Sequence, residues 1–346
     1  MNTACPTCGK EALRDPDTMD TFVCSSWYFL RYLTPKNSEK PFDNELIKKY
    51  LPVNQYVGGA EHAVMHLLYA RFFVKALRDC GLLSINEPFQ KLIHQGVILG
   101  TDGNRMSKSR GNVINPEKYL EQYGSDALRL YLEFAFAYID GGPWDDKGIE
   151  AITKFMQRVY RIIDDHEWIF KAHQKASSNS FHTKLEYTLH YSIKNISLDL
   201  DRFSFNTAIA RIMELVNEVY AYANSTKKED YNIPFIKEVL EILIKLLGPF
   251  APCFAEELWH KIGHTTSVFL EKWPRHNEAI LATAKLSIPI QINGKLRKVI
   301  EVDRDIPEEK LFELVFGDEH IQKHIQNKRI VKKIYIKDKL INLVIN

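Results

Sequence analysis

Residues Gly100 to Asn112 read Gly-Thr-Asp-Gly-Asn-Arg-Met-Ser-Lys-Ser-Arg-Gly-Asn, a segment that combines cations, hydroxyls and glycines. Such a loop suits a polyphosphate: Ser107, Ser109 and backbone N–H groups donate hydrogen bonds, while Lys108, flanked by Arg105 and Arg110, neutralises charge that builds during phosphoryl or nucleotidyl transfer. A short motif of this kind also matches solvated basic loops by chance. A second candidate lies upstream, where His62 and His66 stand one helical turn apart just after Glu61. Two histidines at i and i+4 share a helix face, which serves ligand binding, zinc ligation or ordinary packing equally well. A metalloprotease signature is excluded, because its Glu would follow the first histidine directly and Ala63 stands there. Third, Cys5-Pro-Thr-Cys8-Gly has the spacing of half a zinc knuckle, but a closed tetrahedral site takes four ligands and only Cys24 is near in sequence.

The elements that must position these residues divide the chain into three. Up to residue 149 the pattern alternates: a strand over Gln55 to Gly59 ending in glycines, a helix over Ala63 to Leu77, a second strand over Lys91 to Leu99, the basic loop, and helices from Pro116 and over Asp126 to Phe136. That order predicts part of a parallel α/β sheet. Residues 150–275 read as a bundle of amphipathic helices over Ala151 to Phe170, Leu185 to Leu200, Asn206 to Ala223, Ile236 to Leu247 and Ala251 to Ile262. Residues 284–346 read as a small α+β module, with a hairpin turning at Asn293-Gly294, a helix over Glu308 to Phe316, and two strands around Lys337-Asp338-Lys339. The predicted fold class is therefore α/β, then all-α, then small α+β.

Several segments resemble the leucyl branch of the class I aminoacyl-tRNA synthetases. Met106-Ser107-Lys108-Ser109 is four-fifths of the KMSKS signature, with Arg105 in place of the first Lys. Met19 to Tyr32 resembles that branch's MDTFVDSSWYFLRY segment, with Cys24 where Asp is usual, and Gln55 to Phe72 resembles its QYxGGxEHAxxHLLYARF segment. Similar matches continue through Tyr123-Gly124-Ser125-Asp126, Phe205-Asn206-Thr207-Ala208, Pro249-Phe250-Ala251-Pro252 and Gln291 to Lys295, although Cys253 falls where His is frequent. The HIGH motif does not occur, and neither does a large editing insertion. The resemblance therefore implies the C-terminal portion of such an enzyme: the second half of a Rossmann-like catalytic sheet, an anticodon-binding helical bundle and a small C-terminal tRNA-binding module.

Carried over residue by residue, the resemblance places leucine against Ser25, Tyr28, Tyr56, His62 and His66. It places ATP against Gly58, Gly59, Glu61, Gln95, Gly96, Val97, Ile98 and Lys108. Glycine permits close backbone approach, and a carboxylate accepts ribose hydroxyls. Catalysis would rest on Lys108 within the motif Arg105-Met106-Ser107-Lys108-Ser109, with Ser107 and Ser109 shaping the loop, Arg105 and Arg110 adding field or contacting tRNA, and Mg²⁺ arriving with ATP. The expected reaction is ATP-dependent activation of leucine and transfer to tRNA-Leu, with an N-terminal half supplied elsewhere if the enzyme is split. The isolated chain is expected to be inactive without that half. The alternative is a noncatalytic tRNA-binding fragment or subunit.

Composition agrees with these readings without deciding among them. The 346 residues are 45% apolar, and 46 basic against 44 acidic side chains leave a formal charge of +2, so a nucleic-acid surface must be a local patch. No apolar run approaches the roughly 18 residues of a membrane span, and five scattered cysteines make no disulfide framework, so a reducing cytoplasm is expected. The basic patch expected for tRNA comprises Lys323, Lys328, Arg329, Lys332 and Lys333, continued by Lys337 and Lys339. Replacing Lys332 and Lys333 with Glu is expected to weaken tRNA binding roughly tenfold or more and to flatten its salt dependence. Binding measured across a salt series checks this, and an unchanged affinity and slope would remove these residues from the interface.

Overall fold

The computed structural model describes residues 2–18, 20–172, 180–283, 285–303, 306–326, 328–336 and 340–346. They form two compact units, Met1–Asn115 with Ala135–Asp146, and Pro116–Phe134 with Lys147–Asn346. Among the described residues no helix is long and apolar enough to cross a membrane.

The first unit opens with a hairpin, Asn2–Ala4 against Glu11–Leu13, closed by the Cys5–Gly9 turn, in which the Gly9 N–H donates to the Cys5 carbonyl at 2.8 Å. Short helices follow at Thr21–Ser25, Tyr28–Arg31 and Asn44–Tyr50. Asp20 caps the first by accepting from the Phe22 N–H, and Asp43 caps the third by accepting from the Glu45 and Leu46 N–H groups, the usual work of a short acid at a helix start. Phe29, Leu30, Ile47, Ala70, Val74, Leu83 and Ile85 form the core beneath them.

Strand Tyr56–Gly59 runs parallel to Leu92–Gln95 in the register Tyr56↔Leu92 to Gly59↔Gln95. Between them lies helix His66–Asp79, whose buried residues His66, Ala70 and Val74 recur every four positions and so face the core together. The helix starts three residues later than its periodicity predicts, because Ala60–Ala63 form a 3₁₀ turn. The predicted strand over Lys91 to Leu99 is broken at Gly96. Its second part, Val97–Leu99, pairs in parallel with Gly141–Pro143, a strand that the Gly-Gly-Pro composition conceals. Gly96 is obligatory there: its N–H donates to the Tyr138 carbonyl at 2.7 Å, and a Cβ would lie 2.0 Å from the Gly141 nitrogen.

In the second unit the bundle comprises helices Asp146–Asp165, Ser180–Asp201, Phe205–Ser225, Ile233–Leu247 and Pro252–Lys261, preceded by Pro116–Tyr123 and Ser125–Ala135. Ile233–Leu247 buries nine of its 15 residues, which makes it the central helix. Each buried Leu or Ile there contributes roughly 1.5–3 kcal/mol. The sequence places Asp126 one turn from Arg129, as for a local ion pair, but the buried Asp126 carboxylate instead accepts from the Phe254 N–H at 2.6 Å, in the first turn of Pro252–Lys261.

The C-terminal module is a four-stranded sheet in the order Lys295–Asp303, Lys285–Ile292, Leu340–Ile345, Ile330–Ile336. Helices Glu308–Gly317 and Glu319–Ile325 accompany it; the second was not apparent from the sequence pattern. The Asn293-Gly294 turn takes positive φ at both residues, and the Asn293 side chain accepts from the Ile345 N–H at 2.9 Å, tying the hairpin to the last strand. Ile288, Ile290, Leu311, Val315, Ile341 and Leu343 are among its buried core. Lys337, Asp338 and Lys339 lie outside the described residues.

Asp126 caps a helix from 128 residues away, so Asp126→Ala is expected to destabilise the protein by about 2 kcal/mol, and Asp126→Asn by less than half of that, because the acceptor survives. Urea unfolding of both variants measures the difference.

Candidate active site

Strand Tyr56–Gly59 and helix His66–Asp79 bring the predicted leucine-binding residues together. His66 is buried, with Nε2 2.8 Å from the Ser25 carbonyl and Nδ1 3.2 Å from the Tyr56 hydroxyl. The carbonyl can only accept, so the ring proton sits on Nε2 and Nδ1 accepts from Tyr56. The Tyr28 ring lies 5.8 Å from His66, and Phe89, which the sequence reading did not single out, packs on Tyr56 at 4.9 Å and on His66 at 6.3 Å. Burial pushes the Tyr28 and Tyr56 phenols up from their usual range, so both remain hydroxyls at neutral pH. His62 stands with its ring edge-on to His66 at 6.3 Å, and its Nδ1 is buried without a hydrogen-bond partner among the described residues. The Ser25 hydroxyl donates to the Thr21 carbonyl, so this residue faces His66 with its backbone rather than its side chain.

The next residues along the strand form its glycine-rich end. A Cβ on Gly58 would meet the Tyr56 ring at 2.9 Å, and one on Gly59 would meet the Glu61 carboxylate at 2.5 Å. Glycine thus lets the Tyr56 and Glu61 side chains lie back over the strand end. The Glu61 carboxyl is held below its usual range, first by its own backbone N–H and then by Arg105, whose guanidinium is 3.4 Å away. This pair is well exposed and weak, which leaves the carboxylate exchangeable for a ligand's hydroxyls. Gln95 and Val97 are exposed at the broken strand, and Gly96 and Ile98 are half-buried between them.

The basic loop reaches this end through Arg105. Met106 and Ser107 are half-buried, Lys108–Arg110 form one 3₁₀ turn ended by Gly111 at φ +69°, and the Ser107 and Ser109 hydroxyls lie 2.8 Å apart. Lys108 is exposed and its ammonium has no ion-pair partner among the described residues. Asp102 and Asn112, which the sequence reading gave no role, hydrogen-bond beneath the turn. Loop composition gave no sign of that pairing, since both residues are common in solvated turns.

A cleft of about 480 Å³ opens beside Tyr56, between Leu67 and Arg71 on one side and Glu87 to Leu92 on the other. It shares only Tyr56 with the predicted leucine pocket. Glu87 at its rim accepts from Arg71 at 2.7 and 2.9 Å and from Lys75 at 2.8 Å, which pulls its carboxyl down to about 2.

The predicted tRNA-binding residues lie in the second unit. Lys323, Lys328, Arg329, Lys332 and Lys333 are all exposed. Lys333 sits over the rings of Phe312 and Phe316, at 5.3 and 4.6 Å, so Lys332, the preceding strand residue, points to the opposite face. These cations therefore do not form one flat patch. Cys5 and Cys8 share the N-terminal turn, where N–H groups of Cys8 and Thr7 draw the Cys5 thiol below its usual range. No group of three His, Cys, Asp or Glu side chains able to hold a metal ion occurs among the described residues.

Two protein families match this chain: "tRNA synthetases class I (I, L, M and V)" over residues 6–140 and "Anticodon-binding domain of tRNA ligase" over residues 182–312. With the loop and strand-end geometry above, they set the class that the chain resembles: a class I tRNA synthetase segment followed by an anticodon-binding segment. Within it, the chain is similar along its whole length to leucine–tRNA ligases, 50% identical to that of Caldanaerobacter subterraneus subsp. tengcongensis and 48% identical to that of Clostridium perfringens. It spans 42% of the length of these relatives, corresponding to their C-terminal part. The solved ternary complex of Agrobacterium radiobacter K84 LeuRS with tRNA and LeuAMS superimposes with a TM-score of 0.81 at 35% identity, covering 100% of this chain and 45% of that one. Mycobacterium tuberculosis methionyl-tRNA synthetase, in complex with methionyl-adenylate, shares the fold at a TM-score of 0.55 and 16% identity, over 72% of this chain and 55% of that one.

Glu87 supplies a pH signature. Its depressed carboxyl means that the Arg71–Glu87–Lys75 cluster stabilises the fold fully above the ordinary carboxylate value of 4.5 and loses that contribution as pH falls towards about 2. Because the groups are part-exposed, Glu87→Gln is expected to cost only about 1 kcal/mol at pH 7. The difference from wild type should vanish near pH 2, as measured by urea unfolding across the acid range.

Proposed function

We propose that this chain carries the ATP-facing and leucine-facing half of a leucine-activating site, together with surfaces that hold tRNA-Leu. The observation that supports this reading is the approach of Arg105 in the basic loop to Glu61 at 3.4 Å, at the strand end that also carries Tyr56 and, one turn on, His66. One end of the site is apolar and aromatic, the other cationic and hydroxyl-rich, as a branched apolar amino acid and a nucleoside triphosphate require.

In this reading Tyr28, Tyr56 and Phe89 wall the leucine side chain, Ser25 contributes through its backbone, and His62 and His66 close the pocket. Glu61 exchanges its contact with Arg105 for ribose hydroxyls, and the backbone around Gly58, Gly59 and Gln95–Ile98 takes the adenosine. Lys108 is the catalytic residue: its unpaired ammonium stabilises charge on the triphosphate as the leucine carboxylate attacks the α-phosphorus and pyrophosphate leaves. Met106, Ser107 and Ser109 shape the turn that presents it, and Arg105 adds positive field. No protein nucleophile is required. Mg²⁺, held through phosphate oxygens, would neutralise further charge.

Residues 1–149 serve as the second half of the Rossmann-like catalytic domain, 150–275 as the anticodon-binding bundle, and 284–346 as a tRNA-binding module carrying Lys323, Lys328, Arg329, Lys332 and Lys333. Val64, Met65, Leu68, Tyr69 and Phe72 leave an exposed apolar stripe along the His66 helix, suited to the remainder of a cytoplasmic synthetase. The alternative is a tRNA-binding portion without chemistry.

Leucine-dependent ATP–pyrophosphate exchange separates the two. The chain alone is expected to show none, and the chain supplied with the N-terminal part of the Clostridium perfringens relative to show it. Lys108→Ala should then lower kcat by about 10²–10³-fold. Full exchange with Lys108→Ala would remove Lys108 from catalysis, and tRNA binding without exchange in either preparation would leave the noncatalytic reading.

A further inference from the structure

The turn that carries Lys108 is held from below by one side chain. Asn112 accepts the Ser107 N–H on its Oδ1 at 2.9 Å, and its Nδ2 donates to both oxygens of Asp102 at 3.2 Å and to the Arg105 carbonyl at 3.4 Å. Asp102 in turn accepts the Asn104 N–H at 3.0 Å, and the Gly100 N–H donates to the Asn104 carbonyl at 2.8 Å. The two ends of the Lys108 turn, Ser107 and Gly111, therefore adjoin one buckle.

Gly100 forms the floor of this arrangement. It is buried, and a Cβ there would lie 2.8 Å from Asp102 Oδ1 and 3.0 Å from Asn112 Nδ2. The contacts need a carboxamide at 112, because the Ser107 N–H requires an acceptor while the Asp102 carboxylate and the Arg105 carbonyl require a donor. Aspartate has the same shape but cannot donate when ionised, and it would set a second carboxylate against Asp102.

We propose that Asn112 is a positioning residue that, buckled to Asp102 over Gly100, holds the Ser107–Gly111 turn and so fixes where the Lys108 ammonium is presented. The second half of this proposal rests on the ATP reading above; the first does not.

Lys108 and Arg110 make the loop a trypsin target only when it opens, so the cleavage rate in this chain reports its closure directly. Asn112→Asp is expected to raise cleavage after Lys108 and Arg110 at least about ten-fold, with thermal unfolding and cleavage elsewhere unchanged. Gly100→Ala should do the same from the opposite side. Asp102→Asn keeps an acceptor for both Asn112 and Asn104 and should stay within about three-fold of wild type. Equal cleavage of wild type and Asn112→Asp overturns the buckle.

The same digestion with the N-terminal part of the Clostridium perfringens relative added, and with increasing MgATP, reads the positioning. MgATP should slow cleavage of the wild-type loop, and Asn112→Asp should need at least about three-fold more for half-protection. Protection of both at one concentration overturns the positioning role even if the buckle stands. Protection of neither, with the cleavage difference intact, counts against the ATP reading and leaves the buckle supported.

Discussion

The first unit depends on the contact between two backbones at Gly96 and Gly141. The segment from Leu92 to Leu99 pairs with Tyr56–Gly59 before Gly96 and with Gly141–Pro143 after it. That exchange is possible only because neither glycine carries a Cβ: one on Gly96 would sit 2.0 Å from the Gly141 nitrogen, and one on Gly141 would sit 2.2 Å from the Val97 carbonyl oxygen. The close approach places the end of one strand beside Gly59 and Glu61 and delivers the next strand into the basic loop. The pocket and the loop consequently share a rigid origin although they lie some forty residues apart in sequence.

The electrostatics of the site are set up to be given away. Glu61 and Arg105 contact each other through a long, exposed ion pair, which contributes little to stability and yields readily to stronger partners. Lys108 has no ion-pair partner among the described residues. By contrast, Arg71, Lys75 and Glu87 are tightly paired, so those charges hold the helix to the segment beyond it and are unsuited to a transient ligand. The distinction between structural and available charge is thus visible in distance and exposure. The two half-buried phenols around His66 add a polar but neutral lining.

The second unit obeys a different constraint. Its bundle is organised by the strongly apolar helix Ile233–Leu247, and its C-terminal module by a separate core in which Ile290, Leu311, Ile321 and Leu343 participate. The Asp126 carboxylate, buried, accepts from the Phe254 N–H and so helps to join the helix Ser125–Ala135 to the bundle. Cations in the module are distributed over both faces of a strand, with Lys333 resting on aromatic rings.

By itself the sequence determined the order of elements, the helices of the bundle and the Asn293-Gly294 hairpin, because apolar period and turn chemistry are local properties. It also carried the resemblance to a class of enzymes, through ordered matches running from the Met19 segment to Lys295. Only the tertiary structure decided the break at Gly96, the strand at Gly141–Pro143, the addition of Phe89 to the pocket, the cap that Asp126 places on a distant helix, and the buckle between Asp102 and Asn112. Each of these joins residues through space: a glycine reads as a turn until another backbone is seen against it, and a polar side chain reads as solvated until its partner is seen. Pairings of that kind leave no period in the sequence, since their energy depends on geometry that exists only after the chain has folded.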